Sequence, residues 1–269
     1  LSNSFVGISL SGGMVERTAV AVIEAFPEHD RVFLVKIHTH FKTEGKISSD
    51  TKLSELLKSY QSKATHYIFD VPLTLPKCMR CDLVCPGFET CSEPEIVWMR
   101  QWAYRKNKKR NPQKMFTPYT QRCLDAFLAT ELDVSFDIQH ALGANVAPLA
   151  ARARFVTRRL GMVALECSPK VVVWRVGSTL KIPKSQLKFH KHSVGGEESR
   201  KNFLSSLSEK RGIFFYQQDF RLLVEKPHCF DAFICAYAGF LESKGMNEKR
   251  PMGYPPSEAW SLVPGKLTP

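Results

Sequence analysis

The stretch Phe5-Val-Gly-Ile-Ser-Leu-Ser-Gly-Gly-Met-Val-Glu-Arg-Thr-Ala-Val-Ala-Val22 decides how this chain is read. An apolar run meets one polar residue, Ser9, then a glycine-bearing turn, then a second apolar run. Two β-rich runs joined by such a turn predict an antiparallel hairpin. Working outward, Arg31–His40 reads as a third strand. Thr51–Gln61 follows with Leu53, Leu56, Leu57 and Tyr60 at helical spacing, and Ser49 or Asp50 can cap it. Ala64–Pro76 then rises through Tyr67, Ile68 and Phe69 to Asp70 and breaks at Pro72 and Pro76. A β-β-β-α-β start ending in a carboxylate predicts an α/β fold, with Asp70 at the mouth of the sheet.

The later chain continues that rhythm. Helices are expected over Tyr119–Glu131, Val146–Leu160 and Glu197–Arg211. Met162–Pro169 reads as a strand that delivers Glu166 just before a proline. Lys181–Asn202 begins as a polar, basic loop, and His228–Gly245 is an apolar helix with Asp231 near its start and Gly245 as its stop. In the helix Val146–Leu160, Leu149, Ala153, Val156 and Leu160 form the expected buried stripe, which leaves Arg152, Arg154, Arg158 and Arg159 outside. No internal repeat or linker divides the chain. One domain over residues 1–269 is expected, interrupted by an insertion over 77–115.

The 269 residues are 43% hydrophobic, enough for a core that needs no covalent staples. No apolar run reaches the 18 or more residues of a membrane span, and the first residues lack a signal-peptide layout. These features predict a soluble, cytoplasmic protein with no membrane partner. The net charge of +12 favours a polyanion, and the excess is clustered. Trp98–Arg122 holds eight Lys or Arg and no acid, interleaved with Trp98, Trp102, Tyr104, Phe116 and Tyr119. Basic side chains track phosphates while aromatic faces stack on bases. Arg105, Lys108, Lys109, Arg110, Tyr119 and Arg122 are the expected contacts to DNA or RNA; the competing reading is a solvated basic helix whose aromatics turn into the core.

The insertion opens with Cys78, Cys81, Cys85 and Cys91. Four thiols within fourteen residues around a Pro-Gly turn can wrap one tetrahedral ion, with structural Zn²⁺ ahead of an iron–sulfur cluster, whose common spacings differ. Cys123, Cys167, Cys229 and Cys235 stand in apolar surroundings and read as core residues.

Asp70, Glu166 and Asp231 end strands or begin a helix within apolar sequence. A carboxylate in such a place needs a cation or hydrogen-bond donors. Mg²⁺ is a natural partner, since hard divalent cations take oxygen ligands.

At this point the residues resemble a family. Gly7–Val22, Phe69–Pro76, Pro118–Asp125, Ala164–Pro169 and Phe230–Leu241, in that order, are similar to domains of unknown function described as predicted ribonuclease-H-like nucleases. The resemblance runs from about Phe5 to Gly245. It implies a ribonuclease-H-like mixed sheet flanked by helices, carrying the Cys-rich metal-binding insertion. It also implies nucleic-acid phosphodiester hydrolysis with Mg²⁺ or Mn²⁺. Asp70 and Asp231 would be metal ligands, Glu166 a third ligand or base, and Tyr119, Arg122 and Asp125 a phosphate-contacting segment.

Ser9 departs from that pattern. The family's first strand reads Gly-Ile-Asp where this chain reads Gly7-Ile8-Ser9, and a neutral hydroxyl cannot offset two divalent ions. No histidine motif beside Ser9 supplies a base for a serine nucleophile. Three explanations stay open: weakened or one-metal catalysis, a binder that has lost cleavage, or a chain altered to trap an inactive state. The leading expectation is a hydrolase, a Mg/Mn-dependent nuclease weakened by Ser9. The alternative is a catalytically inactive nucleic-acid-binding protein on the same fold. A lower-ranked reading takes the glycine hairpin as the phosphate-binding turn of an actin-like-superfamily sugar kinase, which would require a duplicated fold.

Overall fold

The computed structural model describes residues 3–12, 16–26, 31–61, 64–106, 117–131, 141–143 and 145–265. Strands β1 (Asn3–Ser9), β2 (Ala19–Phe26) and β3 (Arg31–His38) run as consecutive antiparallel neighbours. Helix α1 (Ser49–Ser59) follows, and β4 (Ala64–Phe69) returns parallel to β1 on its other side. Next come α2 (Pro94–Lys106), α3 (Cys123–Glu131), α4 (Ala147–Leu160) and β5 (Ala164–Cys167). The chain continues through α5 (Pro169–Thr179), α6 (Lys184–Lys188), α7 (Gly196–Arg211), β6 (Ile213–Phe214), α8 (Gln217–Glu225), α9 (Pro227–Ser243) and β7 (Ser261–Leu262).

The seven strands form one sheet in the order β6-β3-β2-β1-β4-β5-β7. The pairings make β2 the strand that opposes the other six. A mixed α/β sheet flanked by helices therefore matches the coarse expectation. The duplicated fold required by a sugar kinase is not present among the described residues, which hold a single sheet.

Burial explains the near-continuous apolar reading of the central strands. β2 is covered on both faces, as a strand needs to be when helices pack on either side. One face carries Val6, Ile8, Val20, Val22, Tyr67 and Phe69 against Leu53 and Leu57 of α1 and Val156 and Leu160 of α4. The opposite face carries Phe5, Ala21, Ile23 and Ile68 against Phe230, Phe233 and Tyr237 of α9. α9 crosses β1 where the first strand has no side chain. A Cβ on Gly7 would lie 2.0 Å from the Ala232 carbonyl oxygen and 2.4 Å from the Ala236 nitrogen. Only glycine permits that approach.

Local signals place several boundaries. Ser48, one residue before the expected caps, accepts from the Thr51 N–H at the start of α1. α4 buries Ala150, Ala153, Val156 and Leu160 and stops at Gly161, which is left-handed at φ 59°. Arg154, Arg158 and Arg159 face outward as expected. Arg152 instead reaches Asp50, Glu16, the Thr18 hydroxyl and the Ser11 carbonyl, tying α4 to α1 and to the arms of the first hairpin.

The segment read as an insertion divides into two parts. Residues 77–93 form a loop with a short 3₁₀ turn at Lys77–Met79. α2 belongs to the body of the domain, with Ile96, Trp98 and Met99 buried. Trp98 stacks on Trp102 at 4.9 Å, and Trp102 in turn packs against Phe127 of α3. These two tryptophans serve the core, so they are not base-stacking platforms. Among the described residues no helix is long and apolar enough to cross a membrane.

Candidate active site

The C-terminal ends of β1 and β4 meet the first turns of α9, and Ser9, Asp70, His228 and Asp231 lie there. Asp70 follows β4 directly and its N–H donates to the Ile8 carbonyl at 3.0 Å, which extends the β1–β4 pairing by one step. Side chains alternate along strands, so Gly7 and Ser9 share a face, as do Ile68 and Asp70. That face is the one covered by α9.

Ser9 Oγ donates to Asp70 Oδ2 at 2.6 Å and lies 3.2 Å from Nδ1 of His228. The Leu10 N–H donates to Asp70 Oδ1 at 3.1 Å. With its proton on Asp70, the hydroxyl accepts from His228. The fold thus supplies beside Ser9 a histidine that the neighbouring sequence lacks.

Asp231 enters from α9, three residues beyond His228 and hence on the same side of the helix. It is 2% exposed. Lys191 ion-pairs with its Oδ2, and His190 Nε2 stands 3.8 Å from its Oδ1. Burial raises the Asp70 carboxyl to about 6, the Lys191 charge opposes the rise, and Asp231 adds to it. Burial likewise pulls His190 down to about 4, against the attraction of Asp231, so this imidazole is neutral near pH 7.

The loop carrying His190 and Lys191 is held from two sides. Arg200 of α7 is 2% exposed and donates through Nη1 to the His190 carbonyl and through Nε to the Val224 carbonyl at 2.8 Å. Ser199 Oγ donates to the Gln186 carbonyl at 2.5 Å. A stretch whose sequence reads as a polar loop therefore contributes two of the groups around Asp231.

Glu166 goes elsewhere. Along β5, Leu165 and Cys167 pack with the α9-side core, whereas Ala164 packs with the α1–α4 side. Glu166 shares the alternation of Ala164, so the β5 side chain directed toward Asp70 is that of Cys167. Cys167 contacts Cys235, whose thiol is pushed well above its ordinary range first by burial and then by Cys167, Asp70 and Asp231. Glu166 accepts from Arg122 Nη1 at 2.7 Å and Nη2 at 2.9 Å, and from the Leu73 N–H at 2.9 Å.

Arg122 is 2% exposed and also meets Asp125, Nη2 to Oδ1 at 3.0 Å. Asp125 Oδ2 accepts the Arg122 backbone N–H at 2.9 Å, the reach-back of a capping box at the start of α3. The Cys123 and Leu124 N–H groups donate to the two oxygens of Glu258. The segment expected to contact phosphate is thus satisfied internally. Arg122 is enclosed by carboxylates, which removes it from a nucleic-acid surface, and Glu166 has an arginine where a metal was expected. Tyr119 is exposed. The side chain of Arg105, together with Lys108, Lys109 and Arg110, lies outside the described residues.

The four cysteines of the 77–93 loop line one open pocket of about 390 Å³ with Lys77, Glu93 and Ile96. The Cys78 thiol is raised by burial and by the nearness of Cys85, Cys91 and Cys81. Arg100 of α2 braces the loop by donating to the carbonyls of Phe88 at 2.8 Å, Cys91 at 2.8 Å and Glu89. Among the described residues no three His, Cys, Asp or Glu side chains are gathered into a ready set of metal ligands.

No family model, curated protein or solved structure matches this chain.

The raised Asp70 carboxyl has a consequence for stability. The folded protein keeps this proton to about pH 6, while the unfolded chain releases it near 3.8. The stabilisation from the bound proton is complete below about pH 4 and is lost as the pH rises through about 6. In chelator at pH 7.5, Asp70→Asn is expected to gain about 1–2 kcal/mol, part of the roughly 3 kcal/mol carried by a two-unit shift. At pH 4 the gain disappears. Thermal melts of both proteins at the two pH values check this, and equal melting temperatures at pH 7.5 would refute it.

Proposed function

We propose that this chain is a metal-dependent nuclease-like protein of the ribonuclease-H-like type, acting on nucleic-acid phosphodiesters through a site reduced to one divalent cation. The observation that carries the reading is that Asp70, at a strand end and hydrogen-bonded to Ser9, lies within the field of Asp231 from a helix. Two further features support it. Strands β3-β2-β1-β4-β5 lie side by side with β2 alone reversed, a mixed sheet flanked by helices of the kind the resemblance implies. The net charge of +12 suits a polyanionic partner.

The residues present fit one cation and not two. Asp231 Oδ1 is a buried acceptor without a hydrogen-bond donor, the kind of atom an ion satisfies. Lys191 already offsets part of the negative charge, leaving two carboxylates and one ammonium around the site. Ser9 adds no charge and Glu166 is committed to Arg122. Asp231 and Asp70 would hold a bound Mg²⁺ or Mn²⁺, which would supply Lewis-acid polarisation of the phosphate and a more acidic water. Ser9 and the Leu10 N–H orient Asp70, and Lys191 offers its positive charge near an incoming phosphate.

A structural Zn²⁺ in the four-cysteine loop belongs to the same reading, supported by the pocket shared by the thiols and by their softness as donors. The second reading is a nucleic-acid-binding protein that does not cut. The Ser9 hydroxyl in place of an acid favours it, together with the ammonium already seated on Asp231.

The test is cleavage of DNA, RNA and hybrid strands with Mg²⁺ or Mn²⁺, using metal-analysed protein. Slow cleavage is expected from the chain with Ser9, faster cleavage from Ser9→Asp and none from Asp70→Asn. If Ser9→Asp is inert while salt-sensitive binding persists, hydrolysis is abandoned for the binding reading. A preparation with neither zinc nor iron removes the four-cysteine site.

A further inference from the structure

Two buried polar atoms without hydrogen-bond partners face each other across the site. His190 Nε2 and Asp231 Oδ1 both lack a hydrogen-bond partner, and each residue is 2% exposed. Their separation of 3.8 Å is too wide for a hydrogen bond. The imidazole tautomer sharpens the conflict. His190 Nδ1 lies 3.3 Å from the Leu187 carbonyl, which only accepts, so Nδ1 carries the proton and Nε2 presents a lone pair. An anchored Nδ1–H with a free Nε2 is the arrangement typical of metal-binding histidine.

The surroundings hold this geometry in place. Arg200 fixes the His190 carbonyl, and Phe230 packs on the imidazole with ring centroids 5.7 Å apart. Lys191 occupies the other oxygen of Asp231, which leaves Oδ1 as the one directed at His190. Two lone pairs desolvated without a donor are costly, and a cation between them would satisfy both.

We propose that His190 Nε2 and Asp231 Oδ1 are protein ligands to a single divalent transition-metal ion. This inference rests on the one-cation reading above and adds to it a nitrogen ligand and a metal class. Imidazole favours first-row transition metals, Fe²⁺ to Zn²⁺ most and Mn²⁺ least, whereas Mg²⁺ selects oxygen. His190 therefore biases the site against Mg²⁺, and water completes the coordination.

Mn²⁺ is the suitable probe because it is paramagnetic and has little affinity for the thiols of the 77–93 loop. Pulsed EPR of Mn²⁺ added to the chelator-treated full chain is expected to show nitrogen modulation from one directly bound imidazole. The modulation should change when the histidines carry ¹⁵N. It should survive His228→Gln and vanish in His190→Gln, with Mn²⁺ binding weakened about tenfold. If His190→Gln fails to fold, modulation that survives His228→Gln still assigns the nitrogen to His190.

Mn²⁺ bound without nitrogen modulation, or modulation lost in His228→Gln instead, overturns the assignment of His190 and leaves the one-cation reading standing. No Mn²⁺ binding overturns both and points to a water molecule donating one proton to each acceptor. Mg²⁺ displacing Mn²⁺ at equal concentration overturns the metal-class bias.

Discussion

Arg122→Met is expected to destabilise the protein by about 3–5 kcal/mol, the range found when one partner of a buried charge cluster is removed. The side chain is 2% exposed and its guanidinium joins Glu166 at the end of β5 to Asp125 at the start of α3. Methionine fills much of the volume but leaves two interior carboxylates without their cation. The Leu73 N–H still reaches Glu166 and the Arg122 backbone N–H still caps with Asp125, so some satisfaction remains. The double variant Arg122→Met, Glu166→Gln should recover part of the loss, because a neutral amide is cheaper to bury than an uncompensated charge. Urea unfolding of the three proteins provides the check. If the single variant loses less than about 1 kcal/mol, Arg122 is not the clamp described here, since ordinary exposed pairs lie in that range.

Gly7→Ala should be nearly as costly, at about 3 kcal/mol or more, for a different reason. The added methyl meets the Ala232 carbonyl oxygen at 2.0 Å and the Ala236 nitrogen at 2.4 Å, so main chain rather than a flexible side chain must yield. Overpacking a core commonly costs about 1–3 kcal/mol, and the rigidity of α9 against β1 puts this position at the upper end. The effect also reaches the site. Asp231 immediately precedes Ala232, so lifting α9 off β1 separates Asp231 from Asp70. Denaturation combined with Mn²⁺ titration should therefore show lost stability together with weakened cation binding. Full stability in Gly7→Ala would mean that α9 does not seat on the first strand as described.

Much of the fold could be read from pattern. The first three strands, the following helix and the strand ending at Asp70 announce themselves through apolar runs, turns and spacing, and each falls close to its expected range. The apolar helix bearing Asp231 is equally plain. α5 and α8 are not among the expected helices, and neither is α6, which lies within the stretch expected as a loop. α5 is buried through Val171, Val172, Val173, Trp174 and Val176, a run of β-branched residues whose local preference is for strands and which tertiary packing overrides. α2 was legible only as a basic, aromatic stretch, because the tryptophans that stack on bases in one setting fill cores in another.

The candidate site was less legible than the fold. Asp70 and Asp231 stand out as acids in apolar sequence, and they do converge. Glu166 carries the same signal and lands on the other side of its strand, one residue out of step with Cys167. His228 left one trace in the sequence, its three-residue spacing from Asp231 along a helix. His190 and Lys191 left none, since a basic histidine-rich loop reads as solvated surface.

The sequence by itself determined the first three strands, α1, the strand ending at Asp70 and the apolar helix α9, where the first hairpin turns, and that a hydroxyl stands at Ser9. Those properties depend on neighbours within a few residues, through side-chain alternation, helical period and turn preference. Only the tertiary structure decided which charges cancel. Arg122 finds Glu166 across 44 residues, and His228 finds Ser9 across 219. Burial makes such long-range pairings decisive, because an acid removed from water must take whichever cation or donor the fold brings to it.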